Sequence, residues 1–297
     1  MFGNKKKILF IINPISGGHN KKKIIKSIPK LLDKNRFDIT IVHAKYAGHA
    51  TEIAKEAPEN NMDIVVAVGG DGTINEVASQ LVNTNTILGI VPCGSGNGLA
   101  RDLGISLHYK KAIQQINLLN IKKIDAGVCN DQFFFSLAGV GYDAKVAYDF
   151  NRGKKRKFLG YVWAIFKDYF TSKEQYFEMV LDEEKITGNY FFITVANCSQ
   201  WGYNVKVAPD AILDDGLFAV NLCKKPSGFS IILFGIKLLT GKIASSKWVT
   251  MKTAKKISLH SNSIFFYHID GDAKEVIRQI EINILHKQLN IVGLESK

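Results

Sequence analysis

Val68-Gly69-Gly70-Asp71-Gly72-Thr73-Ile74-Asn75-Glu76 follows an apolar run at residues 64–68 and precedes a stretch of helical spacing at 74–82. Glycines at such a strand-to-helix turn let backbone N–H groups approach phosphate oxygens, and the helix N-terminus adds partial positive charge. Asp71 is then the acid available to a magnesium ion or a reacting hydroxyl. The same residues also read as a tight turn with Thr73 and Glu76 at capping-box spacing, and the two readings are compatible.

Moving outward, the arrangement recurs one strand later as Pro92-Cys93-Gly94-Ser95-Gly96-Asn97, and it occurs after the first strand as Asn13-Pro14-Ile15-Ser16-Gly17-Gly18. Three Gly-containing loops at the carboxyl ends of strands are where an open α/β sheet takes a phosphorylated ligand. None has the P-loop spacing with its lysine, and none is a dinucleotide fingerprint. The strands in question are expected at residues 8–12, 37–42, 64–68 and 87–91. Helices are expected from the spacing of Ile24, Ile25, Ile28, Leu31 and Leu32, despite Pro29, and at 51–57, 74–82 and 98–103. This alternation predicts a helix-covered parallel sheet.

Beyond Asp125 the pattern changes to apolar runs at 133–137, 177–181, 191–195, 217–222, 264–269, 280–285 and 289–292, which predict antiparallel strands of a sandwich or barrel. Residues 145–172 and 226–243 have helical spacing and are expected outside the sheets. The fold class expected is an α/β N-terminal domain with a parallel sheet, residues 1–125, followed by a β-rich sandwich domain, residues 126–297. The last strand is a candidate to return to the first domain.

The 297 residues are 46% apolar and 22% charged with six prolines, which excludes disordered and fibrous classes. The net charge of +12 favours anionic partners: nucleotides, nucleic acid or acidic lipid surfaces. Met1 to Lys7 runs into the first strand without a secretory leader, so a cytoplasmic protein is expected. Cys93, Cys129, Cys198 and Cys223 are too far apart to suggest a disulfide framework or a close-spaced zinc site. The longest uncharged run, 186–205, carries Asn189, Asn197 and Gln200, so buried strand plus loop is expected rather than an integral membrane segment.

The ordered set resembles the diacylglycerol kinase-like lipid kinases, which include bacterial diacylglycerol kinases, sphingosine kinases and ceramide kinases. Its marks are Asn13 to Gly17, Gly69 to Thr73 with Asn75-Glu76, Pro92 to Asn97, Asp125-Ala126-Gly127, Pro209 to Gly216, and Asp270-Gly271-Asp272. The resemblance covers essentially the whole chain. It implies an ATP site in a cleft between the two domains and transfer of the γ-phosphoryl group to a lipid hydroxyl, diacylglycerol or a sphingoid base. It implies nucleotide contacts at Asn13, Pro14, Ile15, Ser16, Gly17, Gly69, Gly70, Asp71, Gly72, Thr73, Ile74, Asn75, Glu76, Gly94, Ser95 and Asn97. Ala44 falls where the family usually has Thr, so a hydroxyl is missing there. Asp125 matches a functional aspartate.

The family's acid-base carboxylate lies in Asp-Gly-Glu, and this chain has Asp272, shorter by one carbon–carbon bond of roughly 1.5 Å. Asp272 is expected as general base, with Asp270 supporting it or holding magnesium and Asp71 as the rival base. Without the resemblance, Asp270-Gly271 reads as a hairpin turn. A structural Mg²⁺ is implied at Asp215 with the backbone carbonyls of Ile212 and Leu217, an oxygen-only set that suits this ion.

For the lipid side, the cationic run from Arg152 to Lys157 precedes Phe158, Tyr161, Trp163, Phe166, Tyr169 and Phe170, which suits peripheral contact with an acidic membrane surface. Residues 228–239 are expected either to cover an acyl-chain pocket or to lie in the core. The competing readings are a catalytically weak nucleotide- or membrane-binding regulator of the same fold, then nonspecific nucleic-acid binding, then an NAD kinase. No specific nucleic-acid module is present, and nothing in the sequence decides between a monomer and a homodimer.

Overall fold

The computed structural model of the chain describes residues 5–17, 20–152, 169–274 and 276–293. Two compact units divide it: Asp125–His286, and the residues up to Ile124 together with those from Lys287 onward.

The first unit alternates β1 (Lys6–Ile12), α1 (Lys21–Leu31), β2 (Phe37–His43), α2 (His49–Glu59), β3 (Ile64–Gly69), α3 (Asp71–Ser79), β4 (Ile87–Pro92), α4 (Gly98–Asp102) and α5 (Tyr109–Ile116). The strands pair in parallel in the order β2-β1-β3-β4. The C-terminal strand lies parallel to β4, with Ile291 opposite Leu88. β1, β3 and β4 are near-continuous apolar runs because helices cover both faces. Ile8, Phe10, Ile12, Val66 and Val68 pack with Ile24 and Ile28 of α1 and Ile113 and Ile116 of α5. α2 and α3 pack against β1 and β3 through the buried residues Ala50, Ala54, Ala57, Ile74 and Val77. Pro29 lies in the last turn of α1; its missing N–H removes one i→i−4 bond there, and the helix ends two residues later at Leu31.

Register places the ends of these strands level. The pairs Ile12↔His43, Ile12↔Val68 and Gly69↔Pro92 close the three ladders. The backbone continues them with Asn13 N–H to Val68 O at 3.1 Å, Ala44 N–H to Ile12 O at 2.9 Å and Cys93 N–H to Gly69 O at 2.7 Å. The three Gly-containing loops therefore leave the same edge of one sheet.

The second unit is antiparallel. Its elements are β5 (Ile121–Cys129), β6 (Gln132–Phe134), β7 (Leu137–Gly141), α6 (Tyr142–Arg152), β8 (Gln175–Leu181), β9 (Glu184–Tyr190), β10 (Phe192–Ala196), β11 (Phe218–Cys223), α7 (Ser230–Thr240), β12 (Val249–Ala254), β13 (Lys256–Phe265), β14 (Tyr267–Ile269), β15 (Asp272–Ala273) and β16 (Ile277–Val292). One layer contains β16-β13-β8-β9 with β5 and β6; the other runs β12-β11-β10-β7-β14-β15. Phe177, Met179, Ile257, Leu259 and Ile280 of the first layer meet Val140, Ile193, Val195, Phe218 and Val220 of the second in one core, which makes this a sandwich. The outer face of the second layer is covered by Tyr142 and Val146 of α6, Tyr169, and Phe234 of α7.

Several expectations need correction. The run at 133–137 is not one strand, because Phe135 and Ser136 turn their N–H groups to a side chain described below. The run at 264–269 is the end of β13 plus β14, broken at Phe266. The runs at 280–285 and 289–292 form the single strand β16, through Lys287 at φ 54°. Strands β9 and β12 went unseen because they alternate exposed and half-buried positions and lack an apolar run. The expected outlying helices exist as α6 and α7, but the cationic run from Gly153 to Lys157 and the aromatics through Phe166 lie outside the described residues. α7 is neither core nor enclosed: Ile231, Phe234 and Leu238 face inward while Phe229, Ile232, Leu233, Ile236 and Leu239 are exposed. Among the described residues no helix is long and apolar enough to cross a membrane.

Candidate active site

In the first unit, side chains tie the three loops together. Asn13 donates from Nδ2 to Thr73 Oγ1 at 2.8 Å, while its Oδ1 accepts the Ile15 N–H. The expected capping box does not form: Gly70 is the N-cap of α3, no side chain caps it, and the Thr73 hydroxyl serves Asn13 instead. Asp71, in the first turn of α3, accepts the Asn97 N–H at 2.9 Å and the Gly98 N–H at 3.1 Å, so its carboxylate holds the third loop to the second. Asn97 closes its own loop through Gly94 N–H to Oδ1 and Nδ2 to Gly94 O.

Glycine is required where these loops touch. A Cβ on Gly17, which has φ +61°, would lie 1.6 Å from Cys93 O, and one on Gly94 would lie 2.7 Å from Gly70 Cα. Ile15 is exposed and Ala44 is buried at the same sheet edge. Glu76 is half-buried; burial raises its carboxyl above the usual range, and the Gly48 N–H it accepts offsets part of this.

Lys21, at the start of α1, was missed by sequence reasoning. Its Nζ is buried beside the Cys93 thiol and has no oxygen partner among the described residues. A buried ammonium is costly unless paired, so this position is suited to an anion. It went unnoticed because it looks like one cation in the run Lys21-Lys22-Lys23.

In the second unit, Asp270 (φ 49°) and Gly271 (φ 80°) form the two-residue loop of the β14–β15 hairpin, closed by the pair Ile269↔Asp272. Positive φ at both central positions is the geometry that Asp-Gly favours. The Asp270 carboxylate accepts N–H groups from Phe135 at 3.1 Å, Ser136 at 2.8 Å and Leu137 at 3.0 Å. It is thus occupied as a backbone clasp. Asp272 is exposed, with Lys274 Nζ 2.9 Å from Oδ2, a surface pair of small energetic weight.

Beneath this turn lies a buried set that the sequence did not announce. His268 Nδ1 accepts the Gly271 N–H at 3.4 Å, which leaves Nε2 to carry the proton 3.5 Å from Asp143 Oδ2. Thr194 Oγ1 donates to the same oxygen at 3.0 Å, and Ala144 N–H donates to Oδ1 at 2.7 Å. A Cβ on Gly139 would lie 2.2 Å from Asp143 Oδ2 and 2.4 Å from His268 Nε2. Only the strand position of His268, two residues before Asp270, hinted at this.

Asp125 is fully buried and organises the loop before β11. Its Oδ2 accepts the Gly216 N–H at 2.7 Å, its Oδ1 is 2.9 Å from His286 Nδ1, and its own N–H donates to Leu213 O at 2.7 Å. Asp215 and Ile212 are exposed on that loop; Asp215 Oδ1 accepts the Leu217 N–H at 2.9 Å. No group of three or more His, Cys, Asp and Glu gathers for a metal among the described residues. An ion at Asp215 would therefore rest on one carboxylate, backbone carbonyls and water, a donor set that fits Mg²⁺. The glycine-rich loops, with a helix N-terminus and the Lys21 ammonium, likewise fit a polyphosphate. All four cysteines are buried as free thiols; burial pushes Cys129 up to about 12 and raises Cys93 and Cys223, so none is poised as a nucleophile.

Comparison with known proteins fits this geometry. The diacylglycerol kinase catalytic domain model matches residues 7–129, and the YegS C-terminal NAD kinase beta sandwich-like domain model matches residues 136–292. The chain belongs to the diacylglycerol kinase-like lipid kinase family. Members of this lipid kinase family are phosphotransferases with an alcohol acceptor. Among its relatives, a diacylglycerol kinase of Bacillus subtilis strain 168 is 28% identical over 299 residues, covering 98% of both chains. A diacylglycerol kinase of Staphylococcus aureus strain MRSA252 is 28% identical over 279 residues, covering 90% of this chain and 86% of its own. A crystal structure of a diacylglycerol kinase from Bacillus anthracis strain Sterne shares the fold, with a TM-score of 0.77 at 20% identity and coverage of 98% and 97%. The lipid kinase family's α/β plus β-sandwich plan is therefore the plan of this chain.

Proposed function

We propose that this chain transfers the γ-phosphoryl group of Mg·ATP to the hydroxyl of a membrane lipid, diacylglycerol in the first instance, at the cytoplasmic membrane surface. The observation that carries the reading is the loop assembly of the first unit, where Asn13–Thr73 and Asp71–Asn97 bonds fix three glycine-rich loops on one sheet edge. Such rigid backbone donors align phosphates, and alignment with charge neutralisation supplies most of the catalysis in phosphoryl transfer. In this reading Asn13, Ser16, Gly17, Gly70 to Glu76, Gly94, Ser95 and Asn97 bind the nucleotide, and Lys21 is added to them as a phosphate cation. Magnesium, when bound, supplies neutralisation of the phosphate charge; Asp215 with the carbonyls of Ile212 and Leu217 is a second, structural position for it.

Asp272 is assigned as the base that takes the proton of the lipid hydroxyl. Asp270 is assigned a positioning role, because three N–H donors occupy its carboxylate. Asp125 shapes the loop that carries Asp215. Four buried free thiols suit a reducing compartment. The names of the relatives favour diacylglycerol over a sphingoid base. The competing reading, nucleotide binding without transfer, draws on the Lys274–Asp272 pair and on Ala44, which lacks a hydroxyl.

The test is transfer of labelled γ-phosphate from Mg·ATP to mixed micelles containing diacylglycerol, sphingosine, ceramide or monoacylglycerol, with NAD as a soluble control. Labelled diacylglycerol is expected. ATP binding with no labelled lipid would favour the non-catalytic reading, and labelled NAD would overturn the lipid assignment.

A further inference from the structure

We infer that the outward face of α7, with the lysines beside it, is a docking surface for an anionic bilayer. Three observations converge. First, Phe229, Ile232, Leu233, Ile236 and Leu239 form an exposed stripe at helical spacing on a helix whose opposite face is already anchored through Ile231, Phe234 and Leu238. Phe229 is 91% exposed and Ile232 and Leu233 are 58% and 59% exposed, a concentration of solvent-facing apolar side chains that marks an interaction surface.

Second, the chain segment that carries this stripe has charges of one sign. From Gly216 to Ile269 the chain has eight lysines and no Asp or Glu. Lys237 lies on α7, and Lys242 follows it directly, with its N–H bonded to Lys237 O. Lys247 stands 5.0 Å over the Trp248 ring, which packs against the same cluster as α7. Lys224, Lys242 and Lys247 are exposed and have no carboxylate partner among the described residues, whereas Lys252 is paired with Glu184. Third, Phe170, 75% exposed, adjoins Tyr169 and Lys225 at the other end of that cluster, which continues the mixture of aromatic and cation. An apolar stripe flanked by lysines is complementary to acyl chains beneath acidic headgroups. A protein partner would be expected to meet some of these cations with carboxylates; a bilayer answers both features with one chemistry.

The inference rests on the lipid-kinase reading for its biological sense, but the binding is measurable without any activity. The full chain is sedimented with vesicles of phosphatidylcholine, with and without phosphatidylglycerol, at low and high salt. Binding to the anionic vesicles is expected, weakened by salt, and reduced about tenfold or more in the variant I232S/L233S/I236S. The variant K242E/K247E, which leaves the apolar stripe intact, should lose most of the preference for anionic vesicles. F229W should gain fluorescence quenching by brominated acyl chains beyond that of the unmodified chain. Both multiple variants should still phosphorylate diacylglycerol in detergent micelles. Failure of the unmodified chain to bind vesicles, or equal binding by all variants, overturns the inference and leaves the kinase reading standing if micellar activity persists. Vesicle binding lost in the variants with no kinase activity in any form sustains the surface and removes the kinase reading. A concentration-dependent dimer dispersed by I232S/L233S/I236S, with vesicle binding unchanged, would overturn the inference in favour of a second copy as the occupant.

Discussion

Asp270 and Leu137 bond each other in both directions: the Leu137 N–H donates to Asp270 Oδ1 at 3.0 Å, and the Asp270 N–H donates to Leu137 O at 2.9 Å. The hairpin turn and the start of β7 are therefore one hydrogen-bonded piece. Asp270→Ala leaves three N–H groups without their acceptor, and we expect a loss of about 2–4 kcal/mol in urea unfolding. Asp270→Asn, which keeps one oxygen, should lose less. Equal stability of the alanine variant and the unmodified chain would refute the clasp.

Asp71 joins two loops with one carboxylate. Asn at this position can accept with a single oxygen, so Asp71→Asn should release either Asn97 or Gly98 and weaken binding of a fluorescent ATP analogue by about tenfold. Unchanged affinity would show that the loops are held by other means.

Lys21 provides a sharper separation of binding from folding. Replacing a buried ammonium that has no oxygen partner among the described residues with Met removes a desolvation cost, so Lys21→Met should raise the thermal midpoint while weakening nucleotide binding by about tenfold or more. A variant that is more stable and binds equally well would exclude Lys21 from the phosphate site.

His268 touches the turn through the Gly271 N–H and does not reach solvent. His268→Ala should lower kcat for lipid phosphorylation while leaving nucleotide KM near its original value, since only the placement of Asp272 changes. A parallel loss in nucleotide affinity would assign the effect to general unfolding.

Glu76 gives a pH signature. Its carboxyl pKa is raised in the folded chain by burial, so the folded state binds this proton more readily than the unfolded state does. The charged form therefore detracts from stability at neutral pH, and that penalty disappears as pH falls through the raised value and then the ordinary carboxylate range. Glu76→Gln should raise the midpoint of urea unfolding at pH 7 and lose that advantage under acid. A gain that is constant with pH would point away from burial as the cause.

The α/β half was readable because burial on both sheet faces leaves continuous apolar runs, and residues 8–12, 64–68 and 87–91, each followed by a Gly-containing turn, read as strands on that pattern. The glycine loops were readable because close approach of backbones, as at Gly17 and Gly94, admits no other residue. The sandwich was less so. β9 and β12 present alternating, half-exposed positions, and β16 hides its continuity behind His286-Lys287-Gln288, polar residues at its middle. The contacts within the acid turn were not readable, because Asp270 and Asp272 differ in what reaches them through space. Three N–H groups come to Asp270 from residues more than 130 positions earlier, while a neighbouring lysine meets Asp272. Asp143 and His268 were silent for the same reason.

The first unit takes Leu289, Ile291 and Val292 from the far end of the chain, all buried, with Val292 packed into the same cluster as Ile8 and Ile24. During synthesis the parallel sheet thus has β4 as an unfinished edge until residues 289–292 have left the ribosome. Maturation of the nucleotide-loop half must therefore wait for residues made long after β4, and a chain lacking residues 289–292 would keep the β4 edge of its first-made sheet open.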